Sequence, residues 1–248
     1  MGVRSVKTSI IIPTYNGLEL LMGCVQSIRK YTKSPYEIIV VDNGSLDGTL
    51  EFCLQEKITF IAIASNLGFP AACNLGMKIS SGDALMLLNN DIVVSHNWLA
   101  NQLNCLNSSD DIGIVGPYTN YASGRQQQTS SYLGIEQFHR FTQKRNQRNS
   151  ELWMSVERLI GFCFLIKRSV VQQIGYLDEL YSPGHFEDDD YCYRTRLAGY
   201  RLMIAGDVFV HHYGSASFIK DPIRFEELIS INYNKFITKW GIDPHQFI

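Results

Sequence analysis

The stretch Thr8-Ser-Ile-Ile-Ile-Pro13 is a short apolar run rich in β-branched residues, and apolar residues at helical spacing follow it over Leu18–Lys30. Similar apolar runs at Glu37–Val41, Ile58–Ala64 and Ala84–Leu88 predict three more strands. Helices are predicted after these runs at Thr49–Gln55, Pro70–Ile79 and His96–Leu106. Strands that are apolar throughout have both faces covered, which is typical of a mainly parallel sheet between helices. The predicted fold class is therefore α/β, doubly wound and Rossmann-like, with helices on both faces.

The second half of the chain has a less regular pattern. The polar, Gln-rich and basic segment Tyr118–Ser150 is predicted to be a long loop or lid. We expect a single domain over residues 1–248, with a soft division near Pro117 into a half at 1–117 and a half at 118–248. The other predicted elements are strands at Ile112–Gly116, Leu159–Ile166, Leu202–Ile204 and Val208–Val210, and helices at Phe186–Leu197 and Pro222–Trp240.

The composition is that of a folded protein with a low net charge. Its 248 residues are 45% hydrophobic, and the net charge of −2 argues against a nucleic-acid partner. Six scattered cysteines, none in a CxxC pair, predict free buried thiols in a reducing compartment. The sequence shows no secretory signal pattern and no run of ~18 apolar residues. We therefore expect a cytoplasmic protein, and binding at the inner face of a membrane stays open.

Polar residues follow each of the four predicted N-terminal strands. In open α/β sheets, ligands bind beyond the carboxyl ends of the strands. These residue types are also ordinary turn residues, so one such end carries little weight, whereas four together indicate a site for sugar, base and phosphate groups. The residues are Pro13, Thr14, Tyr15 and Asn16; Asp42, Asn43, Ser45 and Asp47; Asn66 and Gly68; and Asn89, Asn90 and Asp91.

Three common site motifs are missing from the sequence. No GxGxxG follows the first strand, and neither GxxxxGK[ST] nor GxSxG occurs. These absences disfavour a dinucleotide-binding fold, a P-loop enzyme and an α/β-hydrolase. A bound diphosphate would then need another counter-charge, and a hard cation held by carboxylate and substrate oxygens supplies one.

Six segments of the chain, in order, resemble the signatures of family 2 glycosyltransferases, which have the GT-A fold. Each segment alone is a weak signal, but six in the right order over residues 8 to 218 are specific. The resemblance is nearest to bacterial rhamnosyltransferase-like enzymes that build surface polysaccharides, and it implies a hexosyltransferase. The segments are Ser9–Asn16, Val40–Ser45, Asn66–Phe69, Leu87–Asp91, Glu187–Arg194 and His212–Ser217.

The resemblance assigns the half at 1–117 to the nucleotide sugar and the half at 118–248 to the acceptor. It places Asp42 at the nucleoside base, where a carboxylate can accept a hydrogen bond from a uracil or thymine N–H. UDP- and dTDP-sugars therefore fit equally well. It also implies that Pro13, Thr14 and Tyr15 form the wall of the base pocket, and that Asn66, Gly68 and Asn74 line the ribose and diphosphate side. Asn16, Asn43, Asn89 and Asn90 complete the implied donor-binding set.

Asn89-Asn90-Asp91 stands at the DxD position of the family, with Asn89 in place of the first acid. One carboxylate, Asp91, can still bind Mn²⁺ or Mg²⁺, because diphosphate oxygens and water complete the shell. His212 is the implied second ligand, and an imidazole would favour Mn²⁺ somewhat. His211 competes for this role, since neighbouring residues of a strand point to opposite faces.

The resemblance implies a catalytic role for the acids Glu187 and Asp188, with Asp188 as the general base that deprotonates the acceptor hydroxyl. Consecutive acids raise one another's pKa values, which suits a base. Asp190 is expected to cap the helix and Arg194 to pair with an acid one turn earlier. Direct attack with a single base predicts inversion at the anomeric carbon.

The acceptor side and the alternatives stay open. Trp153 and the basic segment Arg140–Arg148 are candidate contacts for a glycan, lipid-linked or protein-linked acceptor, and the same segment could simply be a solvated loop. A homodimer and a peripheral membrane association are not decided. A nucleotidyltransferase lacks support, because no basic residue follows Asn16-Gly17. A catalytically weak carbohydrate- or nucleotide-binding protein remains an alternative because of Asn89.

Overall fold

The computed structural model of the protein describes residues 6–214 and 222–247, with side chains described from residue 225 onwards in the second range. Its strands are β1 (Thr8–Thr14), β2 (Tyr36–Asp42), β3 (Thr59–Ala62), β4 (Ala84–Leu88), β5 (Ile92–Val93), β6 (Ile112–Thr119), β7 (Trp153–Val156), β8 (Cys163–Lys167) and β9 (Arg201–His212). Its α-helices are α1 (Leu18–Tyr31), α2 (Thr49–Gln55), α3 (Phe69–Ile79), α4 (Trp98–Leu106), α5 (Gly134–Arg145), α6 (Arg168–Ile174), α7 (Glu187–Leu197) and α8 (Pro222–Trp240).

The described strands form one sheet in the order β3-β2-β1-β4-β8-β6-β9-β5, and β7 also pairs with β9. β1, β2, β3 and β4 are mutually parallel, and β6 is parallel to β9. β8 runs antiparallel between β4 and β6, while β5 and β7 run antiparallel to β9. Most strands thus point the same way, which confirms the predicted α/β class.

Strand β1 lies at the centre of the core, and all seven of its residues are buried. Its side chains alternate between two apolar clusters on opposite faces of the sheet. Ile10 and Ile12 pack in the cluster that contains Leu21 of α1 and Trp98 of α4. Ile11 packs in the other cluster, with α3 and α7. A run that is apolar at every position is therefore required, because helices cover both faces.

Several predicted boundaries in the second half differ from the structure. The two strands expected at 202–204 and 208–210 are one strand, β9, because the residues between them stay in the sheet. The strand expected from Leu159 begins at Cys163. Helix α6 and the short strands β5 and β7 escaped prediction, since two to seven residues carry little periodicity. Pro117, the expected division, lies inside β6.

The segment expected to be a loop or lid contains helix α5, so that prediction was wrong. The helix is anchored by buried residues of which only Phe138 is strongly apolar. Thr142 donates to Ser95 Oγ at 2.6 Å, and Asn146 donates to the carbonyl oxygens of His96 and Phe209. Hydropathy could not reveal this helix, because much of its attachment is made by buried polar side chains.

The six cysteines are all buried and free, as predicted from their spacing. In the described part of the chain, we find no helix with the length and apolar character that crossing a bilayer requires.

The packing of α5 predicts a large effect of one aromatic residue. Phe138 is fully buried against Phe209 and Val93, so Phe138→Ala should lower the free energy of unfolding by about 3–5 kcal/mol. Urea unfolding measures this. Leu133, which is 81% exposed just before the helix, is the control, and Leu133→Ala should change stability by less than about 0.5 kcal/mol. Similar small losses for both variants would mean that α5 is not packed as described.

Candidate active site

The loops after β1 and β2 are joined to each other at the carboxyl edge of the sheet. The Asn43 N–H donates to the Thr14 carbonyl at 2.8 Å. Asn16, which has a φ of 47°, donates its N–H to Ser45 Oγ and accepts at Oδ1 from the Leu46 N–H, both at 2.9 Å. The structure thus brings together the two loops that the sequence placed at a common edge.

Asp42, the last residue of β2, is 4% exposed at this edge. Its Oδ1 accepts from the Ser45 N–H at 3.0 Å. Among the described residues, no hydrogen bond reaches its Oδ2, so one carboxylate oxygen is left for a ligand. Nearby, Tyr15 is 43% exposed, whereas Pro13 is buried within β1, opposite Val41.

Asn43 and Asn66 shape the loop before α3 by bonding to each other. Asn43 Nδ2 donates to Asn66 Oδ1 at 2.8 Å and to the Gly68 carbonyl at 3.2 Å. Asn66 Oδ1 also accepts from the Gly68 N–H. Gly68 has a φ of 90°, and a Cβ there would lie 2.7 Å from Pro183 Cα. The loop therefore contacts the segment that leads to the acidic cluster.

Asn74 has a structural role instead of the predicted donor contact. Its Nδ2 donates to the Leu177 carbonyl and to Glu179 Oε1, and its Oδ1 accepts from the Leu177 N–H. These bonds engage both ends of the buried amide. Trp153, the candidate acceptor contact, also has a hydrogen-bond partner within the protein. Its indole N–H donates to Asp207 Oδ1 at 2.9 Å.

Asp91 and His212 lie side by side, with Asp91 Oδ1 3.2 Å from His212 Nε2. Strand β5, directly after Asp91, pairs with the end of β9 and places Ile92 opposite His212. His211 points elsewhere and bonds to the Tyr132 hydroxyl at 2.7 Å. The structure therefore selects His212, of the two candidate histidines, as the neighbour of Asp91.

Main-chain and aromatic contacts fix the His212 ring. Its Nδ1 lies 2.7 Å from the Tyr121 carbonyl oxygen, which can only accept, so Nδ1 carries the hydrogen. Asn120 binds both the N–H and the carbonyl of His212, and Phe162 stacks on the ring at 5.3 Å. His212 Nε2 then faces Asp91 as a second acceptor, unless a proton or a metal ion lies between them.

This donor set fits a divalent cation. Adjacent ligands of one ion, at bonds of about 2.1 Å, are themselves about 3 Å apart, close to the separation of Asp91 Oδ1 and His212 Nε2. Asn89 Oδ1 is buried with no hydrogen-bond partner among the described residues. Within that part of the chain, no three His, Cys, Asp or Glu side chains form a metal site by themselves. Asp91 and His212 would hold the ion, with the remaining positions filled by substrate oxygens and water.

The acidic cluster begins α7, and each acid has a different environment. Asp188 accepts at Oδ2 from the Gly161 N–H at 3.0 Å and at Oδ1 from the Asp189 N–H. Asp189 is paired with Arg158. Gly161 adjoins Phe162, the residue stacked on His212, so consecutive residues contact Asp188 and the Asp91–His212 pair.

Asp190 is fully buried and pairs with Arg194 at 2.7 Å, as the sequence predicted. It does not cap the helix, because its other oxygen accepts from Lys239 Nζ and the Trp240 indole. Glu187 is also buried, and burial, with the charge of Asp188, raises the pKa of Glu187 well above its ordinary range. Its Oε2 has no hydrogen-bond partner among the described residues, so the fold favours the protonated, neutral form of this acid.

Two residues that organise the site, Asn120 and Tyr121, belong to no motif of the sequence. The Asn120 side chain bonds to the main chain of His212, and the Tyr121 carbonyl bonds to His212 Nδ1. Gly214, within the His212–Ser217 segment, donates its N–H to Asp91 Oδ2 at 3.1 Å. Gly214 has a φ of 78°, and a Cβ there would meet the Tyr121 ring at 2.3 Å. Ser215 to Ser217, the end of the last predicted segment, lie outside the described residues.

The sequence profile of Glycosyl transferase family 2 matches residues 9–175, which is more than half of the chain. The chain belongs to glycosyl transferase family 2. The matched span contains Asp42 and Asp91 and ends before Glu187, Asp188 and His212. The family match therefore covers the loops after β1, β2, β3 and β4, whereas the other three residues are placed by the geometry described above.

One of two similar curated proteins is named as a glycosyltransferase, and the other is uncharacterized. The chain is 29% identical over 212 residues to glycosyltransferase AglE of Haloferax volcanii, covering 82% of this chain and 66% of that protein. It is 29% identical over 230 residues to the uncharacterized protein y4gI of Sinorhizobium fredii, covering 84% of this chain. The chain spans only 24% of that second relative.

Solved structures of glycosyltransferases show the same fold. The mannosyltransferase PcManGT of Pyrobaculum calidifontis, in complex with GDP-Man and Mn²⁺, superposes with a TM-score of 0.68 at 19% identity, over 95% of this chain and 65% of that one. GalNAc-T7 with UDP, GalNAc and Mn²⁺ gives 0.72 at 19% identity, over 95% and 49%. The predicted GT-A fold is confirmed.

The buried Glu187 predicts a pH-dependent stability. The folded protein binds this proton more tightly than the unfolded chain, so the contribution is complete below the ordinary pKa and is lost as pH rises towards the folded-state pKa. Glu187→Gln stays neutral, so it should gain stability relative to wild type as pH rises from about 5, above the ordinary pKa of a glutamate, through neutral pH. Urea unfolding across this range measures the difference. Glu51→Gln, an exposed acid in α2, should follow wild type, and a constant offset for Glu187→Gln would contradict the assignment.

Proposed function

We propose that the protein is an inverting, metal-dependent glycosyltransferase that moves a sugar from a nucleoside diphosphate sugar to an acceptor hydroxyl. This proposal rests on the Asp91–His212 pair, which lies beside loops of a family 2 domain. Asp91 Oδ1 and His212 Nε2 face each other at 3.2 Å. A cation shared with the donor diphosphate accounts for this arrangement, and it supplies the counter-charge that the missing phosphate motifs do not.

The donor side is proposed to take a UDP- or dTDP-sugar. Asp42 Oδ2 accepts no hydrogen bond from the described residues, and a uracil or thymine ring has an N–H that it could accept. The donor-binding residues are proposed to be Pro13, Thr14, Tyr15, Asn16, Asp42, Asn43, Asn66, Gly68, Asn89 and Asn90. The similar structures contain GDP-Man or UDP with GalNAc, so guanine donors belong in the test panel.

The chemistry is divided between the two ends of the site. Asp91 and His212 would hold the ion, which when bound would offset the negative charge that builds on the departing diphosphate. Asp188 is proposed to accept the proton of the attacking acceptor hydroxyl. The Gly161 and Asp189 N–H groups orient its carboxylate. A single displacement with one base inverts the anomeric carbon.

The biological setting is proposed from the same evidence. The enzyme is assigned to bacterial surface glycan or glycoconjugate synthesis, with a glycan, lipid-linked or protein-linked acceptor, and to the cytoplasm. The competing hypothesis is a catalytically weak binding protein on the same fold, which Asn89 at the DxD position favours. Release of free nucleoside diphosphate from the donor distinguishes the two.

The base assignment predicts a severe loss in one variant. With a panel of UDP-, dTDP- and GDP-sugars and Mn²⁺, wild type should release nucleoside diphosphate from at least one donor. Asp188→Asn should lower that rate by about 10²- to 10⁴-fold, because the amide cannot take the proton, while nucleotide affinity stays unchanged. Asp110→Asn, an exposed acid in a distant loop, is the control. No release by wild type from any donor, or full activity in Asp188→Asn, would refute the proposal.

The metal assignment predicts opposite effects at two neighbouring positions. Asp91→Ala should abolish both Mn²⁺ binding and release of nucleoside diphosphate. Asn89→Asp adds a carboxylate, so it should keep activity and tighten Mn²⁺ binding in the absence of donor by about tenfold, or about 1.4 kcal/mol. Calorimetric titration with Mn²⁺, with and without UDP, measures both. Equal affinity of wild type and Asn89→Asp would show that position 89 lies away from the ion.

A further inference from the structure

Helix α8 is bonded to the loop that leads into α7. Asn232 is fully buried in α8, and its Nδ2 donates to the carbonyl oxygens of Tyr181 and Gly184 at 2.8 Å and of His185 at 3.1 Å. Three carbonyl groups of one loop thus converge on a single side-chain amide. Loops on a protein surface seldom have such a buried partner. This contact therefore restricts the conformation of the loop over residues 181–185.

A lysine one turn later orients this amide. Lys235 Nζ donates to Asn232 Oδ1 at 2.9 Å and to the Leu180 carbonyl at 2.8 Å. Because the lysine can only donate, it holds the amide oxygen on its own side and leaves Nδ2 to face the loop.

The loop held by Asn232 has a strained backbone. His185 and Phe186 have φ values of 73° and 72°, in the left-handed region that costs a residue with a side chain about 1–3 kcal/mol. Such a conformation persists only where the surroundings determine it. Phe186 packs with Tyr181 and Phe236 in a buried cluster, and Asn232 binds the carbonyls.

The position of the acidic cluster follows from this loop. Helix α7 begins at Glu187, directly after the two left-handed residues, so their dihedral angles set where Asp188 emerges. On the other side of Asp188, Lys239 and Trp240 of α8 bond to Asp190 Oδ1 at 2.5 and 2.9 Å. Helix α8 is therefore bonded to the chain both before and after Asp188.

We propose that Asn232 is a positioning residue for the Asp188 carboxylate, holding the preceding loop in the conformation that aims this base at the acceptor hydroxyl. The inference rests on the proposed function of Asp188. A general base must lie within hydrogen-bond reach of the proton it takes, so a small displacement slows the reaction strongly. Donor binding uses Asp42 and Asp91 on other loops, and it should not change.

A double-mutant cycle tests this coupling. Wild type, Asn232→Ala, Asp188→Asn and the double variant are compared by nucleoside diphosphate release from the best donor of the panel with Mn²⁺. Asn232→Ala should lower kcat by at least about tenfold and leave the donor KM within about twofold. It should add no further loss in the Asp188→Asn background. Asn234→Ala, an exposed amide of the same helix, should match wild type.

Two kinetic outcomes would overturn the proposal. Equal fractional losses from Asn232→Ala in both backgrounds would show damage that is independent of Asp188, and a wild-type kcat in folded Asn232→Ala would show that the contact is not needed. If Asn232→Ala does not fold, Lys235→Met replaces it. This variant loses only the orienting hydrogen bonds and should give a smaller loss of kcat with the same non-additivity.

Hydrogen exchange tests whether Asn232 holds the loop independently of whether Asp188 is the catalytic base. Asn232→Ala should speed amide exchange in residues 181–190 and leave residues 9–16 and 40–47 unchanged, whereas Asn234→Ala should change none of them. Unchanged exchange in residues 181–190 would show that Asn232 does not hold this loop. If wild type releases nucleotide from no donor, the proposed function and the catalytic part of this inference fail, but the exchange result still shows whether Asn232 holds the loop.

Discussion

Asp91 Oδ1 and His212 Nε2 face each other at 3.2 Å, and the hydrogen on the other ring nitrogen is committed to the Tyr121 carbonyl. Two acceptors at this distance repel unless a proton or a metal ion lies between them. The surrounding structure nevertheless holds them together, through the pairing of β5 with β9 and through Asn120 on the main chain of His212. The protein thus holds Asp91 and His212 in a geometry that a positive charge between them would stabilise.

The antiparallel strand β8 explains how the two ends of the site reach one place. Cys163, its first residue, pairs with Leu88, the last residue of β4, so the residues before β8 lie at the carboxyl edge of the parallel strands. Those residues are Gly161, whose N–H binds Asp188, and Phe162, whose ring stacks on His212. A parallel strand in this position would have carried the same dipeptide to the opposite edge. The reversal of β8 therefore places Asp188 and His212 against two consecutive residues of the chain, Gly161 and Phe162.

The first four strands and the meeting of the β1 and β2 loops could be predicted from the sequence, because strands that are apolar throughout and polar residues at their ends are local signals. The acids of α7 and the Asp190–Arg194 pair were also readable, since their spacing is that of a helix turn. Helix α5 was missed because buried polar residues such as Thr142 attach it. Asn74 was assigned to the donor because its type and place fit, yet its amide is bonded to Leu177 and Glu179. Contacts between distant segments leave no pattern in the local sequence.

Most polar groups on the donor-side loops are already bonded to one another, as in the Asn43–Asn66 pair and the Asn16 contacts. Such loops need little reordering when a ligand arrives, which lowers the entropic cost of binding. The charge at the metal position is low, because Asn89 supplies an amide where the family pattern has an acid. With one carboxylate and one imidazole, an ion held by Asp91 and His212 would gain most of its opposing charge from the diphosphate of the proposed donor. Ion and donor should therefore bind with strong mutual coupling, and each should raise the affinity of the other by the same factor.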